Sequence, residues 1–373
     1  MSQSYKIFII AGESSGDLHG SYLIKSLKIK NPKIYFNGIG GKMMEKEGLK
    51  SLFPINKLSV MGFVEVIKHL PFFIKVKNKV ISIISNEQYD HIILIDYPGF
   101  NLNLLPNLKK ITKAKITYFI CPQIWAWKEK RIEILKKYVD NRIVIFPFEQ
   151  DWYNKRGVNV FFSGHPIMDE WQPKNRDKLV QNLKLNPKSQ TLTLYPGSRN
   201  QEFSKHFPLF LESASIIRSQ IKDLQVVLGC ASSIDLTSYK NIIPSWLKVE
   251  INNPQYSLEV ADIAIIASGT STLEAAVYGT PGVVVYKLSP ISWWLSKLFV
   301  KVKFAGMVNL IANKEIMPEY LQKNATVHNI STEILSLLKN KKKYNKKLIQ
   351  LKKVKDSLGN VGVFNKISNN ILN

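Results

Sequence analysis

The chain has 373 residues, enough for two domains that each bury a hydrophobic core. Hydrophobic residues make up 45% and charged residues 21% of the composition, which is typical of globular proteins and excludes a disordered chain. Fifty-two Lys and Arg against 28 Asp and Glu give a formal net charge of +24, which favours anionic partners such as phosphates, nucleic acid or an acidic membrane face.

The cysteines and the N-terminus argue against several further classes of protein. Cys121 and Cys230 are far apart and belong to no Cys/His ligand pattern, so neither a disulfide framework nor a zinc site is predicted. The opening MSQSYKIFII enters a strand directly and lacks the basic and long apolar regions of a signal peptide. No run reaches the roughly 18 to 20 uncharged residues that a transmembrane helix needs. We therefore expect a cytoplasmic protein.

Short β-rich runs alternate with helical patterns along the chain. In the first half, strands are predicted near 5–11, 34–37, 91–96, 115–120, 142–146 and 158–162, with helices that include 17–30, 72–86 and 126–138. A linker-like segment follows at 164–178, and β-rich runs return at 191–199, 224–230, 247–251, 262–268 and 282–287. Such alternation is typical of parallel sheets covered by helices on both faces.

This order predicts an α/β fold with two Rossmann-like domains facing a cleft. The N-terminal domain is predicted at 1–167 and the C-terminal domain at 168–340. The remaining segment, 341–373, is helical and strongly basic, and we expect it to pack back on the N-terminal domain. A cleft between two such domains is a common substrate site.

The first strand ends in a loop with three interpretations. Residues 12–16 match G-x-S-x-G, the pattern that exposes a nucleophilic serine in many hydrolases. Because this is the first strand, no earlier loop supplies oxyanion donors to Ser14, which disfavours that interpretation. Either Ser14 or Ser15 caps the following helix, or the loop amides and the helix N-terminus face an anion or a sugar.

Asp96 ends an apolar strand immediately before Tyr97-Pro98-Gly99. It should therefore stand at the carboxyl edge of a parallel sheet, where open α/β folds bind ligands. A carboxylate there can act as a general base toward a hydroxyl group. Capping of the turn before Pro-Gly explains the same residue equally well.

Two loops of the second half have the composition of a nucleotide site. LYPGSRNQE (194–202) and ASGTSTLEAAVYGTPGVVVY (267–286) each run from a strand through small residues into a helix. Such loops present backbone donors to a diphosphate, to which Arg199 would add its guanidinium fork, and Glu274 could accept hydrogen bonds from ribose hydroxyls. The alternatives are helix capping by Ser198 or Thr270 and a surface arginine.

Several ligand motifs are missing from the sequence. GIGGKM (38–43) fails both the dinucleotide and the P-loop patterns, and a tight strand-to-helix turn is the favoured explanation. No D-x-D or H-E-x-x-H occurs, so neither a metal nor another cofactor is predicted. If a diphosphate leaves here, Arg199 and helix N-termini must stabilise it.

Two segments combine apolar and basic residues in a way that suits an anionic membrane surface. They are FVEVIKHLPFFIKVKNKV (63–80) and SPISWWLSKLFVKVKF (289–304). The predicted membrane contacts are Phe72, Phe73, Trp293, Trp294, Leu298 and Phe299. Buried helices with solvated lysines are the alternative.

Ten stretches, in order, resemble the lipid-A-disaccharide synthases, glycosyltransferases of the GT-B type. They are AGESSGDLHG, GIGGKMM, MGFVEV, IDYPGFN, CPQIWAWKEKR, PFE, GHP, LYPGSRNQE, ASGTSTLEAA and VNLIANKEIMPEYLQ. The resemblance runs nearly from end to end, and AGESSGD together with PQIWAW and PGSR is close to diagnostic. Beyond about residue 330 no motif contributes.

The resemblance implies a reaction and a site. Family members transfer 2,3-diacylglucosamine from its UDP derivative to 2,3-diacylglucosamine 1-phosphate with inversion, forming a β(1→6) disaccharide in lipopolysaccharide biosynthesis. By resemblance, Asp96 is the catalytic base. The implied UDP-sugar contacts are Ser198, Arg199, Gly269, Thr270, Glu274 and Asn309, and the implied cleft loop comprises Gly12, Glu13, Ser14 and Gly16. Met307-Val308 departs from the Leu-Pro expected before Asn309.

The expected partners are the two lipid substrates and the anionic cytoplasmic face of the inner membrane, where the enzyme would bind peripherally. No nucleic-acid-binding motif is found, and a homodimer is left open. The alternative functions are another GT-B enzyme, such as the peptidoglycan N-acetylglucosaminyl transferase, or a UDP-sugar epimerase.

Overall fold

A computed structural model describes residues 5–58, 69–170, 174–289, 293 and 302–373. The chain divides into two compact units. Unit 1 comprises Met1–Glu170 and Leu358–Asn373, and unit 2 comprises Trp171–Ser357. The boundary falls inside the predicted linker at 164–178, three residues after the predicted domain end at 167.

Unit 1 contains a seven-stranded parallel sheet in the order β3-β2-β1-β4-β5-β6-β7. Its strands are β1 (Lys6–Ala11), β2 (Tyr35–Ile39), β3 (Leu49–Ser51), β4 (His91–Ile95), β5 (Lys115–Phe119), β6 (Asn141–Val144) and β7 (Phe161–Phe162). Its helices are α1 (Ser14–Lys30), α2 (Lys42–Lys46), α3 (Leu70–Asn86), α4 (Pro98–Ile111), α5 (Ile132–Tyr138), α6 (Pro147–Asn154) and α7 (Ile167–Glu170).

Unit 2 contains a six-stranded parallel sheet in the order β10-β9-β8-β11-β12-β13. Its strands are β8 (Thr191–Tyr195), β9 (Gln225–Gly229), β10 (Leu247–Glu250), β11 (Ile263–Ala267), β12 (Gly282–Tyr286) and β13 (Glu319–Leu321). Its helices are α8 (Arg176–Asn182), α9 (Asn200–Gln220), α10 (Gln255–Val260), α11 (Ser271–Tyr278), α12 (Met307–Ala312), α13 (Val327–Lys339) and α14 (Lys341–Ser357), and α15 (Val363–Leu372) returns to unit 1.

The central strands are buried along nearly their whole length, and β1, β4, β11 and β12 are accordingly near-continuous apolar runs, whereas β8 (TLTLY) alternates Thr with Leu. The predicted α/β fold with two parallel sheets is confirmed. Each sheet reverses its order of connection once, between β1 and β4 in unit 1 and between β8 and β11 in unit 2. Open α/β sheets bind ligands beyond the carboxyl ends of the strands at such points.

The structure divides the predicted terminal segment 341–373 between the two units. In α14, Leu351 and Val354 are buried in the core of unit 2, and Tyr344 donates to the carbonyl of Asp262. In α15, Phe364 stacks on Tyr22 of α1 with ring centroids 5.2 Å apart. The expectation that the whole segment packs on the N-terminal domain therefore applies to α15 but not to α14, whose apolar face is covered by unit 2.

Across the described ranges, no helix is long and apolar enough to cross a membrane.

Candidate functional site

Asp96 lies at the carboxyl end of β4, at the point where the order of the first sheet reverses. Asp96 and Tyr97 both have positive φ angles, 43° and 50°, before α4 begins at Pro98. Left-handed conformations at non-glycine residues cost about 1–3 kcal/mol each and persist where surrounding contacts enforce them. The sharp turn therefore holds Asp96 in a defined position.

Three hydrogen bonds fix the main chain of Asp96. Its amide donates to the carbonyl of Phe119 at 2.9 Å. Its carbonyl accepts from the hydroxyl of Tyr118 at 2.7 Å and from the side-chain amide of Asn101 at 2.8 Å. Tyr118 and Asn101 are fully buried, so the carboxyl group is carried on an immobilised backbone.

The carboxyl group of Asp96 is electrostatically suited to exchange protons. Its pKa is raised to about 6, first by burial and then by the negative charge of Glu13, while His19 and the amide of Tyr97 oppose the shift. A general base works best when its pKa is near the working pH. Asp96 thus combines a fixed position with a suitable pKa.

The glycine loop after β1 lies beside the Asp96 turn, because Ala11 is paired with Ile95. A Cβ on Gly12 would stand 2.2 Å from the ring of Tyr97, so only glycine leaves room for that ring. Helix α1 begins at Ser14, with Glu13 at its N-cap and no side-chain capping bond. Ser14 and Ser15 are exposed in the first turn. The interpretation that one of them caps the helix is therefore not supported.

We expect Gly12→Ala to destabilise unit 1 by about 1–3 kcal/mol, because the new methyl group must displace the Tyr97 ring from a packed position. Gly99→Ala is the matched control, since a Cβ there meets no atom within 4 Å. Urea unfolding of both variants measures the difference. Equal stabilities would show that Gly12 is not required by this contact.

Asp17 and Gly16 complete the first motif. Gly16 packs closely on the strand end, since its Cβ would lie 3.2 Å from that of Ala11. The buried carboxylate of Asp17 accepts from the amides of Gly41, Met43 and Met44 at 2.7–3.1 Å, at the start of α2. The sequence pattern predicts the strand-to-helix turn at GIGGKM but not this role of Asp17.

Glu149 is a second buried carboxyl group, and no sequence pattern predicted its role. It accepts from the indole of Trp125 at 2.8 Å and from the amides of Ile145 and Phe146. Burial raises its pKa to about 7 despite these bonds, and the charge of Asp96 adds to the shift. The hydrogen bond between Trp125 and Glu149 joins the IWAW and PFE motifs, and the distance between these motifs in sequence does not predict that they are in contact.

In unit 2, the Ser198 and Arg199 loop connects β8 to α9. Gly197 has φ of 109°, and Arg199 is the N-cap of α9. The Arg199 guanidinium is more than half exposed and contacts Glu202 at 3.1 Å through one nitrogen, Nη1. Ser198 accepts at its carbonyl from Ser233. The predicted diphosphate residues therefore lie at a helix N-terminus at the carboxyl end of a central strand.

His206 ties this loop to the neighbouring strand. Its Nδ1 contacts the carbonyl of Pro196 at 3.0 Å, and its Nε2 accepts from the amide of Lys287 at 2.9 Å. These partners require a neutral ring, and burial lowers its pKa. His206 thus holds the loops after β8 and β12 in place.

Gly269, Thr270 and Glu274 follow β11, the strand paired with β8. Gly269 has φ of 130°, and Thr270 is the N-cap of α11 without a side-chain capping bond. Glu274 accepts from the hydroxyl of the buried Tyr195 at 2.8 Å. Both predicted donor loops therefore meet at the point where the order of the second sheet reverses.

Asn309 differs from its expected role as a nucleotide contact. It is fully buried, and its Oδ1 accepts from the amides of Ile316 and Met317 at 2.8 and 2.9 Å. Its Nδ2 donates to the carbonyl of Met317 and to Glu319 at 2.6 and 2.8 Å. Because two donors and two acceptors are the usual capacity of an asparagine side chain, Asn309 instead fixes the segment before β13.

The predicted membrane residues divide into three groups. Phe72 and Phe73 are half-buried and pack on the core of unit 1, with Phe72 edge-on to Phe53. Trp293 is partly buried. The remaining three, Trp294, Leu298 and Phe299, lie outside the described residues. Leu70 and Ile74, two α3 side chains that are about half exposed, were not among the predicted contacts.

A cavity of about 660 Å³ opens beside the Asp96 turn in unit 1. Its lining residues are Glu13, Leu70, Phe73, Ile74, Lys77, Tyr97, Pro98, Gly99, Phe100, Asn103, Trp127, Lys128 and Arg131. It therefore combines an apolar wall with three cations next to the predicted base. In the part of the chain that is described, no group of three His, Cys, Asp or Glu side chains could hold a metal ion.

Comparison with known proteins identifies close sequence relatives. A family model described as lipid-A-disaccharide synthetase matches residues 7–366. The lipid-A-disaccharide synthase of Coxiella burnetii (strain RSA 331) is 36% identical over 335 residues, 90% of this chain and 89% of that protein. That of Geobacter sulfurreducens is 35% identical over 373 residues, 99% of this chain and 97% of that protein.

Solved structures at much lower identity share the fold. The UDP-GlcNAc 2-epimerase of Neisseria meningitidis bound to UDP-GlcNAc has a TM-score of 0.64 at 10% identity, covering 98% of this chain and 99% of that chain. The calicheamicin glycosyltransferase CalG4 has a TM-score of 0.62 at 14% identity, covering 99% and 98%. MurG of Acinetobacter baumannii has a TM-score of 0.59 at 13% identity, covering 99% of both chains.

Proposed function

The chain belongs to the lipid-A-disaccharide synthase family, glycosyltransferases of lipid A biosynthesis, and we propose that it transfers 2,3-diacylglucosamine from UDP-2,3-diacylglucosamine to 2,3-diacylglucosamine 1-phosphate. The products are UDP and the β(1→6) disaccharide 1-phosphate. The observation that carries the mechanism is Asp96, a carboxyl group with a pKa of about 6 on a fixed turn at the carboxyl edge of a sheet.

Asp96 acts on the acceptor in this mechanism. Its carboxylate takes the proton of the 6-hydroxyl as that oxygen attacks the anomeric carbon of the donor. The bond between the anomeric carbon and the diphosphate oxygen breaks, and its electron pair leaves with UDP. Because attack and departure occur on opposite faces of the sugar, the configuration inverts. The departing diphosphate needs no proton, so one carboxyl group is sufficient.

The loop before α9 serves the leaving group. Charge develops on the diphosphate as the bond breaks, and preorganised donors stabilise such charge most effectively. Arg199 contributes its guanidinium fork, and the N-terminus of α9 contributes the positive end of its dipole. The neutral His206 supports the loop without adding charge.

Glu274 contacts the nucleotide in this proposal. Its carboxylate would accept hydrogen bonds from two ribose hydroxyls, and the hydroxyl of Tyr195 donates to Oε2 and steadies it. Gly269 and Thr270 would present main-chain amides at the start of α11. Structural neighbours described as bound to UDP-GlcNAc and to UDP and glucose support a UDP-sugar as the donor.

The pH profile should report the Asp96 carboxyl group. Only its deprotonated form can accept a proton, so kcat/KM for the acceptor should rise with pH through about 6 and level off above that value. In Glu13→Gln, loss of a nearby negative charge should shift this limb to lower pH. Initial rates between pH 4.5 and 8 measure both profiles.

The control is Glu133→Gln, which removes the same charge from an exposed position on α5. Its profile should match that of the wild type. An acid limb that stays unmoved in Glu13→Gln would contradict the assignment of the limb to Asp96.

Substrate omission tests the proposed function. Purified protein is incubated with both lipids, with each lipid alone, or with UDP-N-acetylglucosamine, and the products are identified by mass spectrometry. We expect disaccharide 1-phosphate only when both lipids are present. Conversion of UDP-N-acetylglucosamine without an acceptor would favour an epimerase, and its transfer to a polyprenyl-linked acceptor would favour a peptidoglycan transferase.

Peripheral membrane binding follows from the acylated substrates. The half-exposed Leu70 and Ile74 and the exposed Lys75 lie on one helix, α3, and suit the boundary of an anionic bilayer. The formal charge of +24 favours the same surface. We propose that the protein acts at the cytoplasmic face of the inner membrane.

A further inference from the structure

The cavity beside the Asp96 turn has an apolar part and a cationic part. Leu70, Phe73 and Ile74 from α3 and Phe100 from α4 form the apolar part. Lys77, Lys128 and Arg131 provide cations, and Glu13 is the one carboxylate among the lining residues. Three cations against one carboxylate leave a formal excess of two positive charges in the lining of the cavity.

Two of these cations, Lys128 and Arg131, make cation–π contacts with the ring of Trp127. The ammonium of Lys128 lies 4.4 Å and the guanidinium of Arg131 lies 5.5 Å from the centre of its rings. Lys128 has φ of 55°, a strained conformation for a lysine, directly before the 3-10 turn Glu129–Arg131. A strained backbone conformation at Lys128 therefore accompanies the placement of its ammonium over the same ring as the Arg131 guanidinium.

Within the described ranges, no salt bridge joins Lys77, Lys128 or Arg131 to a carboxylate. The adjacent Glu129 is instead paired with Arg156 at 2.7 Å. Partial desolvation and the charge of Arg131 lower the pKa of Lys128. An anion bound at this position would relieve the repulsion between the two cations.

We propose that this cavity selects the acceptor, with one acyl chain against Leu70, Phe73 and Ile74 and the sugar phosphate held by Lys128 and Arg131. A phosphate monoester carries about −1.5 to −2 charges at neutral pH, which matches the two excess positive charges. Arg131 would supply a fork for two phosphate oxygens and Lys128 a point charge. This inference rests on the proposed function, because it names what the acceptor site recognises.

Direct binding tests the phosphate contact without turnover. The probe is short-chain 2,3-diacylglucosamine 1-phosphate, compared with the same molecule lacking its phosphate, by isothermal titration without donor. Arg131→Gln and Lys128→Gln should each weaken binding of the phosphorylated probe by about tenfold or more. Binding of the dephosphorylated probe should change less than twofold. Thermal melts of each variant establish that it is folded.

Lys130→Gln is the matched control. Lys130 lies between the two proposed phosphate residues in sequence, is exposed, and is not part of the cavity lining. The Lys130→Gln variant loses the same charge as the other two variants. Because Lys130 does not line the cavity, its affinities for the phosphorylated and the dephosphorylated probe should both stay unchanged. If Lys130→Gln weakens binding of the phosphorylated probe as much as Arg131→Gln and Lys128→Gln do, the effect is due to net positive charge rather than to specific contacts, and the assignment is wrong.

An acyl-chain series tests the apolar part. Affinity of wild-type protein should increase by up to about fourfold for each methylene that enters the cavity. Ile74→Ser should flatten this dependence, whereas Ile29→Ser, an exposed isoleucine on α1 outside the cavity, should not. A chain-length dependence that is identical in Ile74→Ser and the wild type would exclude this wall as the acyl site.

A vesicle experiment separates the acceptor phosphate from lipid headgroups. If Arg131→Gln lowers sedimentation with phosphatidylglycerol vesicles more than it lowers affinity for the dispersed probe, the cations serve the membrane and the inference is wrong. The inference would also be wrong if Arg131→Gln slowed disaccharide formation equally with the phosphorylated and the dephosphorylated acceptor. That result would leave the proposed function intact. Tight Arg131-dependent binding with no disaccharide from wild-type protein would instead refute the proposed function.

Discussion

Replacement of Asp96 by asparagine is expected to lower kcat by roughly 10² to 10⁴, the usual contribution of a general acid or base. The amide keeps the size and the main-chain contacts of the residue but cannot take the proton of the acceptor hydroxyl. Affinity for UDP should stay within about twofold, since the base acts on the acceptor. Steady-state kinetics and titration with UDP measure the two effects separately.

Asp151→Asn provides the control for this variant. Asp151 lies on α6 and is exposed, so the same chemical change there should leave kcat unchanged. Activity of Asp96→Asn within a few-fold of the wild type, with Asp151→Asn also active, would remove Asp96 from the role of base.

Replacement of Arg199 by alanine is expected to lower kcat/KM for the donor by roughly 10- to 150-fold. The diphosphate loses a charge-assisted hydrogen-bonding partner, which is worth about 1.5–3 kcal/mol. Arg199→Lys should recover part of the loss, because a point charge cannot reproduce the guanidinium fork. Stability should change little, since the Arg199–Glu202 pair is largely exposed on the arginine side.

Lys205→Ala is the matched control on the same helix. Lys205 is exposed about 1.7 turns further along α9, so the variant removes one positive charge without removing the proposed contact. Equal donor kcat/KM in Arg199→Ala and Lys205→Ala would show that Arg199 contributes no more than its net charge.

The sequence predicted the features that depend on local patterns. The buried strands β1, β4 and β11 are nearly continuous apolar runs, β8 alternates Thr with Leu, and each predicted site loop follows one of these four strands. Hence the positions of Asp96 and Arg199 at the ends of strands are predicted from residues 90–101 and 194–202 alone, without the order of the strands in the sheets. The order itself, which makes those strand ends the points where each sheet reverses, requires pairing information that a sequence pattern does not contain.

Contacts between distant segments could not be predicted. Tyr118 is a buried strand residue and Asn101 a buried helix residue, and neither pattern shows that both donate to the carbonyl of Asp96. The bond between Trp125 and Glu149 joins two motifs that are 24 residues apart. Polar side chains that satisfy such contacts look the same in sequence as those that contact a ligand.

Asn309 illustrates that ambiguity most clearly. An asparagine within a motif resembling the family suggested a nucleotide contact, yet its amide is saturated by the segment 316–319. Asp17 is a second example, since its capping of α2 explains a carboxylate inside a motif that otherwise suggests substrate binding. In both residues the buried hydrogen-bond partners, rather than the residue type, decide the interpretation.

The stereochemistry of the product tests most directly the proposed single displacement, in which the acceptor 6-hydroxyl attacks the anomeric carbon and Asp96 serves as its base. Purified protein is incubated with UDP-2,3-diacylglucosamine and the acceptor 1-phosphate, UDP is quantified, and the new glycosidic linkage is assigned by NMR. We expect a β(1→6) linkage with one UDP released for each disaccharide formed. An α linkage, or a glycosyl group covalently attached to the protein, would contradict it.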